Sequence, residues 1–339
     1  MINTINHIGI GAIKVNETFK FFKNHFGFLI KMNDIEKEIK DPLLNTVSNM
    51  RIINCGCPCG GGFLELFQYI NAPTSQLGNM NQWRSTGFIG ASIEVIGLKR
   101  IYQQLQEQKV PFLTKPEKFR LSDNTGVWDM VYLMPPDCFI LGLLDKHSAE
   151  KIKKPLFYGI HQVTIGVEDL EKAVLFYQEA LGFDRIRFQG KVETGPFKAI
   201  LGNDYAEMVV LERSQGSTSM ISSYTGGMIF LIKVKNQSRE SHPINRGFGD
   251  PGISELGFDV SDIRATYHEL IRKGAQPLVE PEDFNWFPGP QGILAYLTDP
   301  EGNVLELIET IKMYGMRIST VDKICIRPML HLVRGRFPA

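Results

Sequence analysis

Three of the five cysteines in the chain are bunched in the run Cys55-Gly-Cys57-Pro-Cys59, a spacing at which thiolates can bind a soft metal ion. A closed zinc site needs four such ligands, and the sequence has no second cysteine and histidine cluster with zinc-like spacing to complete one. Glycines follow the run and lead into the apolar pair Phe63-Leu64. We therefore predict a glycine-rich hairpin turn here rather than a metal site.

The bulk composition limits the classes of partner. A chain of 339 residues is too long for one ordinary core, which favours two domains. Its 37 basic residues balance 37 acidic ones, so no basic surface for nucleic acid is expected and the partner is predicted to be a small molecule. The N-terminus lacks a signal-peptide pattern and no apolar run reaches the roughly 18 residues of a membrane span. These features predict a cytoplasmic protein without membrane contact; the oligomeric state stays open.

The chain repeats itself. His7-Ile-Gly-Ile-Gly lies beside Gln162-Val-Thr-Ile-Gly, and the same shift of 155 residues carries Gly27-Phe28 onto Gly182-Phe183 without a gap. A second repeat follows each of these stretches, because a shift of 165 residues carries Gly90 onto Glu255. Repeats at a fixed spacing indicate that one structural unit has been multiplied. Four such modules run over residues 1–80, 86–147, 157–213 and 250–311.

The first part of each module has the pattern of a strand followed by a helix. Alternating residues from His7 to Ala12 are apolar, which is the period of a strand. The stretch from Leu170 to Leu181 has an apolar helical stripe, begins after two acids and stops at Gly182. A charged segment ending in Pro155 separates the second module from the third. We therefore predict domains at 1–147 and 157–312, a linker at 148–156 and a tail at 313–339, whose role the sequence does not define.

The module pattern resembles that of a known superfamily. A strand with a polar residue, an acid-led helix ending in Leu181-Gly-Phe183 and a close reading Asp299-Pro-Glu-Gly-Asn-Val-Leu-Glu306 are similar to the modules of the vicinal-oxygen-chelate superfamily, which includes glyoxalases, bleomycin resistance proteins and extradiol dioxygenases. The resemblance covers residues 4–311. It implies an α+β fold in which four βαβββ modules form two open barrel-like domains.

The resemblance also implies metal ligands. In this superfamily each module supplies one ligand from its first strand and one, usually Glu, from its last. Carried over position by position, modules one and four offer His7, Glu65, Glu255 and Glu306. These four converge if module one pairs with module four and module two with module three, which is the pairing we favour.

The other modules offer fewer ligands. Module two has Gly90 and Gly142 at its two positions, and neither has a side chain that can bind a metal. Module three has Gln162 and, depending on the register, Glu207 or Val210. If the modules instead pair in chain order, the site would combine Gln162, and Glu207 if the register allows, with Glu255 and Glu306.

One imidazole and three carboxylates suit a divalent Zn, Mn, Fe, Co or Ni ion. The resemblance then implies a glyoxalase-like, metal-dependent lyase or isomerase that enolises a small carbonyl substrate, with Glu306 or Glu65 as the base. Two alternatives remain open at this point. A ring-cleaving dioxygenase needs two histidines and a carboxylate, and His161 is expected to point away from Gln162 by strand alternation. A metal-free protein that binds or sequesters a small molecule is the third reading.

Overall fold

The computed structural model describes residues 1–71, 85–122, 126–136, 139–146, 155–193, 195–214, 227–235, 247–286, 289–326 and 328. These residues form four modules, each with four strands and one main helix after the first strand, followed by a short C-terminal extension; module three has an additional short helix. The fold is therefore the predicted α+β arrangement of four βαβββ modules.

The first two modules have similar bounds to the predicted ones. Module one consists of β1 (Ile2–Gly11), α1 (Val15–Phe26), β2 (Ile30–Asp41), β3 (Thr46–Gly56) and β4 (Phe63–Tyr69). Module two consists of β5 (Gly87–Ile96), α2 (Leu98–Glu107), β6 (Glu117–Arg120), β7 (Val127–Leu133) and β8 (Ile140–Asp145). The cysteine run begins with Cys55 at the end of β3 and continues with Cys57 and Cys59 through the turn to β4. In this turn Cys57 Sγ donates to the carbonyl of Phe157 at 2.8 Å.

Module three is longer than the sequence suggested. It consists of β9 (Leu156–Gly166), α3 (Leu170–Glu179), β10 (Arg185–Val192), the short helix α4 (Lys198–Leu201), β11 (Ala206–Glu212) and β12 (Met228–Val234). Module four consists of β13 (Gly252–Val260), α5 (Ile263–Arg272), β14 (Gln276–Asn285), β15 (Pro290–Thr298) and β16 (Val304–Met313). The extension adds β17 (Met316–Arg317), paired with β16, then α6 (Ile318–Val321) and a π-helical turn over Asp322–Ile326.

Hydrogen bonding between strands pairs module one with module four and module two with module three. The first sheet runs β14-β15-β16-β13-β1-β4-β3-β2, and the second runs β10-β11-β12-β9-β5-β8-β7-β6. In each sheet the first strands of the two modules lie side by side and antiparallel, β1 against β13 and β5 against β9. Each sheet is a curled half-barrel. The last strands of its two modules flank the central pair, β16 and β4 in the first sheet and β12 and β8 in the second.

Both sheets draw on both halves of the chain. The predicted boundaries at residues 147 and 157 stay a prediction, because residues 147–154 lie outside the described ones. A division into residues 1–147 and 157–312 does not, however, coincide with the two sheets. The favoured pairing of modules is the one that hydrogen bonding produces.

The helices pack between the sheets in one extensive apolar core. Phe22 of α1 stacks on Phe139 before β8, and Phe183 after α3 meets Phe258 of β13 edge to face. The backbones also meet directly, because Ile160 of β9 exchanges hydrogen bonds with Gly62 at 2.7 and 2.8 Å. A side chain at Gly159 would collide with the backbone of the Gly60–Gly62 turn, so glycine permits this close approach. In the described part of the chain no helix is long and apolar enough to cross a membrane.

Candidate metal centre

The four predicted ligands meet on four adjacent strands of the first sheet. His7 is on β1, Glu65 on β4, Glu255 on β13 and Glu306 on β16, and the strand order is β16-β13-β1-β4. One ligand atom from each residue lies within 4.8 Å of all the others. All four side chains are buried, with at most 3% of any residue exposed. The duplicated modules therefore bring equivalent positions into one place.

The imidazole of His7 lies among the three carboxylates. Its Nε2 atom is 2.9 Å from Oε2 of Glu306, 3.4 Å from Oε2 of Glu65 and 3.4 Å from Oε1 of Glu255. Its Nδ1 atom is 2.9 Å from Oδ1 of Asn6. If Nδ1 donates its proton to that amide oxygen, the Nε2 atom presents a lone pair to three acceptor groups. The lone pair and the three carboxylates then repel one another, and a cation between them would be coordinated by all four groups.

Burial and mutual repulsion shift the acid–base equilibria of the cluster. Burial, followed by the charge of Glu306, raises the pKa of Glu255 to about 8. Burial also raises the pKa of Glu65 to about 7, although the His7 charge opposes the shift. Burial lowers the pKa of His7, but hydrogen bonds to Glu255 and Glu306 outweigh it, so the pKa lies well above its usual range. Near neutral pH the cluster therefore holds protons where a divalent cation would balance the same charge.

A bulge in β1 explains why Asn6 and His7 both face the cluster. Ile5 pairs with Phe258 and His7 with the adjacent Gly257, so Asn6 is an extra residue in its strand. Gly257 has a packing role here, because a Cβ atom at this position would lie 2.1 Å from Cε1 of His7 and overlap the ring. The opposite face of the imidazole stacks on Phe63 at 4.9 Å. These contacts fix the orientation of the ring.

Two further polar residues hold the carboxylates, and neither was identified from the sequence. The buried hydroxyl of Tyr296 on β15 donates to Oε1 of Glu306 at 2.9 Å. Burial and the Glu306 charge raise the pKa of Tyr296 well above its usual range, so the hydroxyl keeps its proton. The side chain of Asn54 on β3 hydrogen bonds to Glu65. Tyr296 lies directly across from Glu306 in the sheet. A prediction of the register between β15 and β16 would therefore have identified Tyr296.

The residues present fit a divalent metal ion. Metal–ligand bonds of about 2.0–2.2 Å to nitrogen and oxygen bring ligand atoms within about 4.4 Å of one another, close to the 4.8 Å limit that the four atoms meet. Oε2 of Glu255 is buried and has no hydrogen-bond partner among the described residues, which leaves it available for a cation. The Asn6 contact to Nδ1 is the kind of support that metal-binding histidines usually have.

The second sheet lacks this set. The position of His7 is taken by Gln162, and those of Glu255 and Glu306 by Gly90 and Gly142, as predicted from the repeats. Gln162 accepts a hydrogen bond from Ser92 and donates one to Thr164 at 2.7 Å. A Cβ atom at Gly142 would meet the Ser92 hydroxyl and the Tyr132 ring. Side chains already occupy the space that a metal cluster would need.

The predicted register of module three was wrong. Glu207 and Val210 lie on β11, the third strand of the module, where Glu207 is exposed and Val210 is buried in an apolar cluster. The last strand is β12, in which Phe230 pairs with Thr164 as Glu65 pairs with Gly9 in module one. The position equivalent to Glu65 is therefore a buried phenylalanine.

His161 also departs from the expectation. It is the extra residue of a bulge between Gln162 and Ile160, so the strand does not alternate at this point. Its Nδ1 atom is 3.3 Å from Glu94, and Lys146 donates to its Nε2 at 2.8 Å. His161 thus belongs to a buried polar group in the second sheet and takes no part in the four-residue cluster.

A cleft with a cavity volume of about 50 Å³ opens beside the cluster. Glu65 and Asn6 form its polar end, and the remaining walls are mainly apolar and aromatic. Met313 and Tyr314, at the start of the predicted tail, belong to these walls. The first residues of that tail therefore have a place beside the site.

Comparisons with known proteins agree with this architecture. Residues 159–307 match the family model described as the Glyoxalase/Bleomycin resistance protein/Dioxygenase superfamily. A lactoylglutathione lyase-like protein of Aspergillus terreus is 26% identical over 155 residues, which is 43% of this chain and 72% of that protein.

Solved structures with the same fold include glyoxalase I from Zea mays. A point variant of that protein superimposes with a TM-score of 0.59 at 15% identity, covering 91% of this chain and 94% of its own. Another crystal structure of it gives a TM-score of 0.57, also at 15% identity, over 97% and 96% of the two chains. The family-model match assigns residues 159–307 to the glyoxalase/bleomycin resistance protein/dioxygenase superfamily, and the solved structures show the same fold over most of the chain.

Proposed function

We propose that this chain is a metal-dependent lyase or isomerase that enolises a small carbonyl substrate. The observation that carries the proposal is the buried cluster in which Nε2 of His7 lies within 3.4 Å of three carboxylates. Such a set would bind a divalent Zn, Mn, Fe, Co or Ni ion through His7, Glu65, Glu255 and Glu306. A divalent ion held there would act as a Lewis acid on two neighbouring oxygens of the substrate.

The surroundings of the carboxylates assign them different roles. Glu65 lines the cleft, so its carboxylate is the one that a substrate can reach. Glu306 is held by Tyr296, and Glu255 is fully buried. Glu65 is therefore the base that removes the proton next to the carbonyl and returns it to the neighbouring atom, while Glu306 and Glu255 remain as ligands. Glu306 was the other candidate base from sequence, and its fixed orientation makes it the weaker one.

The donor set disfavours ring-cleaving dioxygenase chemistry. That chemistry requires two histidines and one carboxylate on iron, whereas the cluster has one histidine and three carboxylates. His161, the histidine at the nearest equivalent position, lies in the second sheet.

Hydrogen exchange with solvent tests the proposal directly. The metal-loaded protein is incubated in deuterated water with a series of small α-hydroxyketones, and deuterium uptake next to the carbonyl is followed by NMR. We expect uptake with the wild-type protein, a loss of at least 100-fold for Glu65→Gln and no change for Glu207→Gln, a matched change on an exposed strand position. A metal-loaded protein that binds these ketones without exchanging the proton would instead support a binding protein.

A further inference from the structure

The walls of the cleft define a class of ligand. Four aromatic side chains belong to them: Phe63, Phe284, Trp286 and Tyr314. Phe63 is the residue that stacks on the metal-binding His7, so one aromatic wall starts directly beside the cluster. Phe284 and Trp286 form a second wall, with their rings 5.0 Å apart and inclined at 51°. Met32, Pro290, Ile308 and Met313 add aliphatic surface to the cleft.

The orientation of Trp286 is held from one side. The ammonium group of Lys37 lies over its ring, 4.5 Å from the centroid. Lys37 is on β2, and its contact covers one face of the indole. The side chain of Trp286 remains partly exposed, which leaves ring surface for a ligand. A wall of this kind favours a flat apolar group that can stack or meet it edge to face.

The polar end of the cleft carries unused hydrogen-bonding groups. Nδ2 of Asn6 and Oδ1 of Asn54 have no hydrogen-bond partner within the described part of the chain, although only 1% and 4% of these residues are exposed. Both residues line the cleft next to Glu65. A buried donor and a buried acceptor left unpaired destabilise the protein unless a ligand or water satisfies them. They match a ligand that presents one acceptor and one donor at the same end.

We propose that the substrate of this site is an aromatic compound with two neighbouring oxygens, such as an aryl-substituted hydroxycarbonyl, whose oxygens lie between the cluster and the two asparagines and whose ring packs against Trp286. The proposal rests on the proposed function, because the reacting end is the one that the metal cluster would handle. It adds that the body of the substrate is a flat ring recognised by the aromatic walls.

A matched pair of inert ligands tests this class. Benzohydroxamate and acetohydroxamate share two neighbouring oxygens and differ only in a phenyl or methyl group. Their dissociation constants are measured by calorimetry with the metal-loaded protein. We expect benzohydroxamate to bind at least roughly tenfold more tightly, because burying the ring adds apolar and aromatic contact. Equal affinities, or tighter binding of acetohydroxamate, would overturn the proposal.

Variants locate the preference. Trp286→Ala is expected to reduce the affinity ratio at least threefold while leaving the affinity for acetohydroxamate unchanged. Tyr205→Ala is the matched control, since Tyr205, which directly precedes β11 of the second sheet, is an aromatic residue with lysines over its ring, and it should keep the ratio. A ratio that survives in a folded Trp286→Ala protein would contradict the assignment of the ring site. The wild-type ratio decides the substrate class even if this variant fails to fold.

The same measurements on chelator-treated protein separate this proposal from the proposed function. If the protein takes up no metal, both hydroxamates lose the shared contribution of their oxygens, yet the phenyl preference should persist because it arises from the walls. A protein that takes up no metal on reloading but still binds benzohydroxamate more tightly than acetohydroxamate would contradict only the proposed metal chemistry. A protein that takes up metal but binds the two hydroxamates equally would contradict only the proposed aromatic substrate.

Discussion

The hydroxyl of Tyr296 donates a 2.9 Å hydrogen bond to Oε1 of Glu306, the residue directly opposite on the neighbouring strand. The equivalent pair in the second sheet is Tyr132 opposite Gly142. There the tyrosine is present without the carboxylate, and its ring borders the space that a side chain at Gly142 would need. The same strand position therefore orients a buried carboxylate in one sheet and fills the interior of the other.

This pair predicts the effect of Tyr296→Phe. Removing the hydroxyl leaves Glu306 free to rotate, and the loss of such a supporting hydrogen bond usually lowers metal affinity 10- to 100-fold. Competition with a coloured chelator measures the change. Tyr132→Phe is the control and should leave metal affinity unaltered. Equal metal affinities for wild-type protein and Tyr296→Phe would show that the hydroxyl does not position the ligand.

A glycine next to the imidazole makes a second prediction. A methyl group at Gly257 would overlap the His7 ring, so Gly257→Ala should displace the ring and abolish metal binding, even where the protein still folds. Gly126→Ala is the control, because a Cβ atom there meets nothing within 4 Å. Metal content and circular dichroism of both variants check the prediction. A folded Gly257→Ala protein with full metal content would contradict the packing argument.

Much of this site was predictable because duplication fixes equivalent positions. The shift of 155 residues maps Gly9 onto Thr164, and these two residues have equivalent strand partners in the two sheets. Gly90 and Glu255 are related by the second repeat at a shift of 165 residues, and Gly142 and Glu306 by a shift of 164 residues. Register within a continuous repeat is set by the side-chain alternation of strands, so it could be carried from one module to another.

The errors arose where the repeat is interrupted or a strand is irregular. Module three contains an inserted helical segment, Gly195–Leu201, between β10 and β11, which made β11 look like the last strand and placed Glu207 at the wrong position. Phe197 of this segment packs on Phe119 and Tyr132, filling the hollow of the second sheet. The bulge at His161 interrupts the two-residue alternation of side chains along β9, and no sequence pattern predicted it.

The pKa values of the cluster predict how metal binding depends on pH. Glu65, with a pKa of about 7, and Glu255, with a pKa of about 8, must lose their protons before they bind a cation. Metal affinity should therefore rise as the pH increases from 6 to 8, by about tenfold per pH unit for each proton displaced, and keep rising above pH 8, because the raised pKa of His7 means that its proton must be displaced as well. Calorimetry in buffers of different ionisation enthalpy measures the proton release. Affinity independent of pH across this range would contradict the assignment.

His161 predicts a separate pH effect on stability. Burial lowers its pKa to about 3, with the charge of Lys146 adding to the shift. The unfolded chain binds a proton at this histidine below about pH 6.5, whereas the folded protein does not until about pH 3. The free energy of unfolding is therefore unaffected by this group above pH 6.5 and decreases as the pH falls from 6.5 towards 3.

The size of this effect is set by linkage. Each pH unit in that window should remove up to about 1.4 kcal/mol through this one group. Urea unfolding at pH 7 and pH 5 measures the difference, and His161→Gln should show a smaller loss between the two pH values. An identical loss in wild-type protein and His161→Gln would show that other groups dominate.

We propose that the two sheets differ in kind, with a metal centre in the first and a filled interior in the second. Elemental analysis after chelation and reloading with Zn, Mn, Fe, Co or Ni tests it most directly, using His7→Ala and its positional counterpart Gln162→Ala. We predict one equivalent of divalent metal in the wild-type protein and in Gln162→Ala, and none in His7→Ala. Metal retained by His7→Ala, or lost from Gln162→Ala, would contradict the account.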